Sequence, residues 1–220
     1  MNKKKTFFRF FAFYDRTNLK RFLEEKSLQG WLLCGVGLGY EFRQVEPRKR
    51  QFCIVYLPKA KDGEHPWEYL DYCHHAGWQL LVANQQMHVF CSELDNPTPI
   101  ETDPVMEVEN IHKSAKKSHI PIFCIELIIG LRYVIDFFLR WSDGDLRYTL
   151  ERRAYQVSFA VGFLTLAFSI MELVIYFCWY YKAKLSAEQG KFTPTPNNTG
   201  VRTVFLLLIL LGALGLLLVI

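Results

Sequence analysis

Five charged residues stand inside stretches that otherwise read as apolar helix. Glu126, Arg132, Asp136 and Arg140 lie between Ile120 and Trp141, and Glu172 lies between Tyr155 and Tyr181. An ionised side chain at mid-bilayer costs about 2.5–3.5 kcal/mol on insertion scales, so each of these groups needs a partner. Arg132 and Asp136 are four apart and share a helix face, which suits an ion pair that lets the helix insert. In antiparallel helices Glu126 and Glu172 fall at one depth, about 6 Å from the helix centres, within reach of Arg132. Three chemistries fit such a group: a structural polar cluster that fixes helix packing, a cation or proton site, and recognition of a partner helix. Elsewhere, Trp31 and Trp78 are the side chains able to stack on a ligand or a partner. Each comes directly after a glycine, and in that position the indole also serves simply to cover a helix end.

Other candidate chemistry does not hold up. Cys73-His74-His75 resembles a metal motif, but consecutive helical residues point about 100° apart and cannot all face one ion. Gly35-Val36-Gly37-Leu38-Gly39 lacks the Lys-Ser/Thr of a phosphate loop and precedes a strand, so it reads as a turn. No GxSxG, no HExxH and no nucleophile–base spacing occurs in the chain. The expectation is a protein that is not an enzyme, with no cofactor and no bound metal. Arg48-Lys49-Arg50 with Arg43 reads as a solvated hairpin end that could also touch anionic headgroups.

Composition places these residues in two settings. The chain has 220 residues, with 26 Lys+Arg and 22 Asp+Glu. Residues 1–118 hold 17 basic and 15 acidic side chains, and residues 119–220 hold 9 and 7 in a far more apolar background. This balance excludes an ordinary soluble globule, a disordered chain and a basic nucleic-acid-binding protein. The pattern predicts a small soluble domain followed by membrane spans. Lys3-Lys4-Lys5 could open a secretory signal, but Arg9, Asp15 and Arg16 interrupt the stretch from Thr6 onward, and it has no small-residue cleavage site. The six cysteines form no CxxC pair, as in a reducing compartment with unpaired thiols.

The soluble part repeats at a shift of 47 residues. Phe22-Leu23-Glu24 aligns with Tyr69-Leu70-Asp71, Gly30-Trp31 with Gly77-Trp78, and Leu33 with Leu80. Each copy reads as strand, helix, strand, strand. The first strands are Phe7 to Tyr14 and Phe52 to Leu57. The helices are Thr17 to Leu28, capped by Thr17 or Asn18, and Pro66 to Ala76. Leu19, Phe22, Leu23 and Trp67, Leu70, Cys73 fall at helical spacing. Gly30 and Gly77 suit left-handed helix ends, and hairpins come next, with turns near 35–37 and 84–86. The predicted fold class is α+β: a duplicated β-α-β-β ferredoxin-like cytosolic domain (residues 1–94, repeats about 7–46 and 51–93), two helices on one face of a mainly antiparallel sheet. A polar linker over 95–118 leads to an α-helical transmembrane region over 119–220.

Charge decides the number of spans. With two spans, the 182–203 loop and its Lys182, Lys184, Lys191 and Arg202 would lie outside, against the positive-inside tendency. With three (about 120–141, 155–181 and 203–220), that loop and Lys113, Lys116 and Lys117 share the cytosolic side, and the 142–154 loop lies outside. The expectation is therefore a multi-pass plasma-membrane protein, N-terminus in and C-terminus out, with an in-plane helix over 120–141 as the alternative. Gly212, Ala213 and Gly215 give the last span a small-residue patch.

The Phe7-to-Tyr14 strand, Leu23-Glu24, Gly30-Trp31, Trp67-Glu68-Tyr69-Leu70 and Ala76-Gly77-Trp78 have counterparts in one known group. So do Tyr180-Tyr181-Lys182-Ala183-Lys184 and Gly190-Lys191-Phe192. Over nearly its whole length the chain resembles the bacterial membrane-protein family catalogued as domain of unknown function 2812. The resemblance implies a Firmicutes protein encoded beside PadR-type regulators and acting in envelope stress or drug response. It brings no catalytic residues. Two functions are expected. One is a membrane-anchored regulatory or interaction protein whose α+β domain binds a small ligand, a cytosolic protein or another membrane protein. The other is a small homo-oligomeric transporter or ion-coupled component using Glu126, Arg132 and Glu172. Both have the lipid bilayer as a partner, and neither binds nucleic acid.

Overall fold

A computed structural model describes residues 3–58, 67–142 and 153–219. The elements run β1 (Lys4–Phe7), α1 (Arg16–Leu28), β2 (Trp31–Val36), β3 (Tyr40–Gln44), β4 (Gln51–Tyr56), α2 (Trp67–His75), β5 (Gln79–Asn84) and β6 (Met87–Ser92). Helices α3 (Pro104–Lys117), α4 (His119–Ser142), α5 (Arg153–Ala187) and α6 (Thr199–Val219) complete the chain order. The chain divides into two compact units, one formed by Met1–Lys116 with Trp179–Asn197 and the other by Lys117–Cys178 with Asn198–Ile220.

The first unit is α+β. Both strand–helix–strand–strand segments form, but as two three-stranded antiparallel sheets, ordered β1-β3-β2 and β4-β6-β5, rather than one continuous sheet. The central strand of each is the last in chain order, because the hairpin partner pairs both with its neighbour and with the opening strand. Leu19, Phe22 and Leu23 of α1 are buried at the i, i+3, i+4 spacing that defines one helix face. Phe22 meets Phe7, Phe42 and Tyr40 through edge-to-face contacts. Around α2, Cys73, Val55, Trp78 and Phe90 form a second core cluster.

Local differences from the sequence reading have local causes. The opening strand is Lys4–Phe7 rather than Phe7 to Tyr14. Its partner β3 begins at Tyr40, opposite Phe7, so the ladder has nothing to pair with beyond that point. Phe11 and Phe13 pack on Phe22 and Tyr56 instead of alternating across a sheet. Asp15, not Thr17 or Asn18, caps α1, its carboxylate accepting from the Asn18 backbone N–H at 3.3 Å. The stretch 95–118 holds α3, because Val108, Ile111 and Ala115 form a buried stripe at helical spacing. Pro66, the expected start of the second helix, lies outside the described residues.

Gly30 and Gly77 end their helices at φ +80° and +85°. A Cβ on Gly30 would lie 3.0 Å from the Val45 carbonyl oxygen, and the Val45 N–H is held by the Gly30 carbonyl at 2.9 Å. Gly30→Ala should therefore lower stability by about 1–2 kcal/mol, read as a shift in the urea midpoint. A shift near zero would mean that the helix end relaxes freely.

The second unit is helical. Aromatic contacts of Phe123 with Phe168 and Phe137 with Phe159 run α4 antiparallel to α5. Phe168 with Phe205, and a Cβ position on Gly212 that meets Val161, do the same for α5 and α6. Helices α4 and α5 approach backbone to backbone at Gly130, where a Cβ would lie 2.8 Å from the Leu166 nitrogen. Among the described residues one helix, Tyr155–Ala187, is long and apolar enough to cross a membrane, and Thr199–Gly212 is a shorter apolar helix. Helix α4 does not qualify because Glu126, Arg132, Asp136 and Arg140 interrupt its apolar face. Residues 143–152 of the loop assigned to the outside lie beyond the described residues, as do the side chain of Ala213 and the surroundings of Gly215.

Candidate functional site

The first unit contains a cavity of about 450 Å³. Several segments shape it. Helix α1 offers Arg16 and Lys20, one helical turn apart on one face. Strand β4 supplies Phe52, Cys53 and Ile54 as a wall, and Trp78 stands just after the left-handed Gly77. The proline-bearing run Asp95–Glu101 forms a rim, and Phe192, beyond α5, closes the set. Two prolines keep the rim extended, so its carbonyls have no helical partners. One of them, from Thr98, accepts the Trp78 indole N–H at 2.7 Å.

The charged part is built around Arg16. One guanidinium nitrogen lies 3.0 Å from Glu101 Oε2, and another bonds Glu107 of α3. Burial pushes the Glu101 carboxyl up to about 7, Arg16 pulls it back, and the Glu107 charge raises it again. Burial raises Glu107 as well, with Arg16 opposing. The cavity thus places Arg16 between two carboxylates that resist ionisation, beside the apolar wall of Phe52, Cys53 and Ile54. Burial pushes the Cys53 thiol up to about 12, which opposes formation of the thiolate.

The cap of α1 ties this site to a distant segment. Asp15 Oδ1 accepts from Thr195 Oγ1 at 2.5 Å and from Asn18 Nδ2 at 2.7 Å. Thr195 N donates to Thr17 Oγ1 at 3.2 Å. These bonds hold the Phe192-bearing stretch against the start of α1.

Of the residues singled out from sequence, Trp78 lines the cavity, whereas Trp31 is half-buried and packs edge-on against Phe7 at 6.2 Å. In the helical unit Glu172 is 1% exposed and bonds Arg202, 3% exposed, at 2.5 Å. Glu126 accepts from Ser169 at 3.3 Å. Asp136 pairs with Arg140 at 3.1 Å rather than with Arg132, and both Arg132 and Asp136 are exposed. The expected group therefore does not assemble as one cluster, because Arg132 and Asp136 face away from the packed side of α4. Arg202 takes the role expected of Arg132. Its place just before the apolar run suggests a loop charge, yet α6 starts at Thr199 and carries it. Arg16, Glu101, Glu107 and Asp15 carry no sequence signal beyond ordinary surface charge.

Residues 17–123 match the family model described as Protein of unknown function (DUF2812), which supports the family resemblance seen in the sequence. The match ends near the start of α4, so the Tyr180-to-Phe192 residues of the resemblance lie outside it. No curated protein and no solved structure matches the chain.

Proposed function

We propose that this protein is a membrane-anchored regulatory or interaction protein, without catalytic activity, whose cytosolic α+β unit binds a small ligand or a partner segment in the Arg16–Glu101–Trp78 cavity. The cavity carries the reading. It is large enough for a small organic molecule, and its lining is mixed, with apolar Phe52, Ile54, Trp78 and Ile100 facing the charged Arg16, Lys20, Glu101 and Glu107. In this reading α4, α5 and α6 all cross the bilayer, with the N-terminus inside and the C-terminus outside. That arrangement keeps Lys113, Lys116 and Lys117 on the same side as Lys182, Lys184 and Lys191. The alternative, an ion-coupled transporter built on Glu172, is less favoured because Glu172 already has Arg202 as its counter-charge.

In-cell photocrosslinking from position 51, on the cavity rim, tests the proposal. The expected result is an adduct between the α+β unit and either a small molecule or a protein partner. Crosslinks confined to the chain itself, together with loss of cellular function in Glu172→Gln, would favour the transporter instead.

A further inference from the structure

Helix α4 carries two seams. On one side Phe123, Gly130 and Phe137 recur every seven residues and pack on α5. Ile128 stands nine residues before Phe137, half a revolution away at about 100° per residue. It belongs to a second seam, Ile125, Ile128, Arg132, Ile135 and Leu139, spaced three, four, three and four. That spacing is the a/d pattern of a helix that pairs with another helix. Its four apolar members are 57, 65, 48 and 60% exposed in chain order, and Arg132 is exposed as well. Ile128, Arg132, Ile135 and Leu139 line a single groove with Leu131 and Asp136, so they form one surface.

Acyl chains can cover the apolar members of such a seam. They leave a guanidinium near the middle of a span without a counter-charge, and Arg132 stands near the middle of the 24-residue α4. Among the described residues Arg132 has no hydrogen bond and no ion pair. Asp136, one turn on, gives Oδ2 to Arg140 at 3.1 Å, while its Oδ1 bonds nothing among the described residues. The Arg140 guanidinium also lies 4.9 Å from the Tyr155 ring centroid, which draws it toward the start of α5. The face thus holds an unmatched cation and, beside it, a carboxylate with a spare oxygen.

Such a face is complementary to itself. Two copies inserted in the same sense meet as parallel helices. A two-fold axis between them sets each Arg132 about 6 Å along the axis from Asp136 of the partner subunit, a gap that an extended guanidinium bridges. A different helix would have to bring its own carboxylate, whereas a second copy brings it by symmetry. One polar residue at an a position is also what fixes register and strand number in parallel coiled coils.

We propose that Ile125, Ile128, Arg132, Ile135 and Leu139 form the contact through which two copies of this chain pair, each Arg132 meeting Asp136 of the partner subunit. This contact rests on α4 crossing the bilayer, as in the proposed function, and not on a ligand in the cavity.

Disulfide crosslinking of the full-length protein in its native membranes tests it. The background is Cys34→Ser/Cys124→Ser/Cys178→Ser, which removes both exposed thiols and the half-buried one on β2. A disulfide needs Cα atoms within about 7 Å, which a parallel pair offers only along the seam. Ile128→Cys and Ile135→Cys should therefore yield dimers on oxidation. Ile122→Cys and Ile129→Cys, 54 and 48% exposed on the flank, should yield none above background. Arg132→Asp sets like charges across the contact and should cut the Ile135→Cys yield roughly tenfold, and Arg132→Asp/Asp136→Arg should restore it. Equal yields around the helix, or an unchanged yield with Arg132→Asp, would overturn the pairing. So would seam cysteines that join the chain only to other proteins. Alkaline carbonate washing separates the two readings. A chain that stays in the membrane without seam crosslinks overturns the pairing alone, whereas a chain that washes out overturns the membrane reading and the seam with it.

Discussion

Arg202→Leu is expected to lower the stability of the helical unit by about 3–5 kcal/mol, the usual penalty when one member of a buried ion pair is removed. Glu172 is the reason. It bonds Arg202 at 2.5 Å, and among the described residues its second oxygen has no hydrogen-bond partner. Without the guanidinium, the carboxylate must stay charged in an apolar setting or take up a proton. Either outcome is costly. Glu172→Leu/Arg202→Leu removes both charges and should recover most of the loss, since apolar replacements of a whole buried pair are often neutral. Unfolding of the full-length protein in mixed detergent micelles, followed by helicity, provides the measurement. A single-variant loss below about 1 kcal/mol would mean that water or lipid headgroups reach the pair.

The second large effect concerns Arg16 and depends on pH. Ionisation of Glu101 occurs near 4.5 in an unfolded chain and near 7 in the folded unit. Between those values the folded state binds more protons than the unfolded one. Stability therefore falls as pH rises through this window and levels off above it. The drop for this one group is about 2–3 kcal/mol, given that Glu101 retains some contact with solvent. Glu101→Gln should flatten the slope. Arg16→Met takes away the cation that partly offsets burial for both Glu101 and Glu107. Its loss should be about 3–5 kcal/mol at pH 8 and smaller at pH 5, where Glu101 is protonated. Urea midpoints at the two pH values separate the cases. Equal losses for Arg16→Met at pH 5 and pH 8 would show that Arg16 acts through packing alone.

In the cavity Arg16 is paired with two carboxylates. This arrangement responds to protonation or to a ligand that competes for Arg16.

Short-range physics alone encodes a good part of the fold. Helices α1 and α2 arise from apolar residues three and four apart, and the left-handed helix ends arise from Gly30 and Gly77. Strands β4 and β6 are legible in the sequence because β-branched and aromatic residues cluster between turn residues. The apolar character of α5 comes from composition alone.

Contacts between distant residues emerge only in the folded chain. Arg16 meets Glu101 across 85 positions, Thr195 meets Asp15 across 180, and Arg202 meets Glu172 across 30. A charged side chain on an amphipathic helix has the same local signature whether it faces water or a buried carboxylate. No spacing rule could therefore mark these residues. The splitting of the strands into two sheets has the same origin: a strand's pattern fixes which face is buried, while its neighbour is chosen by packing across the whole unit.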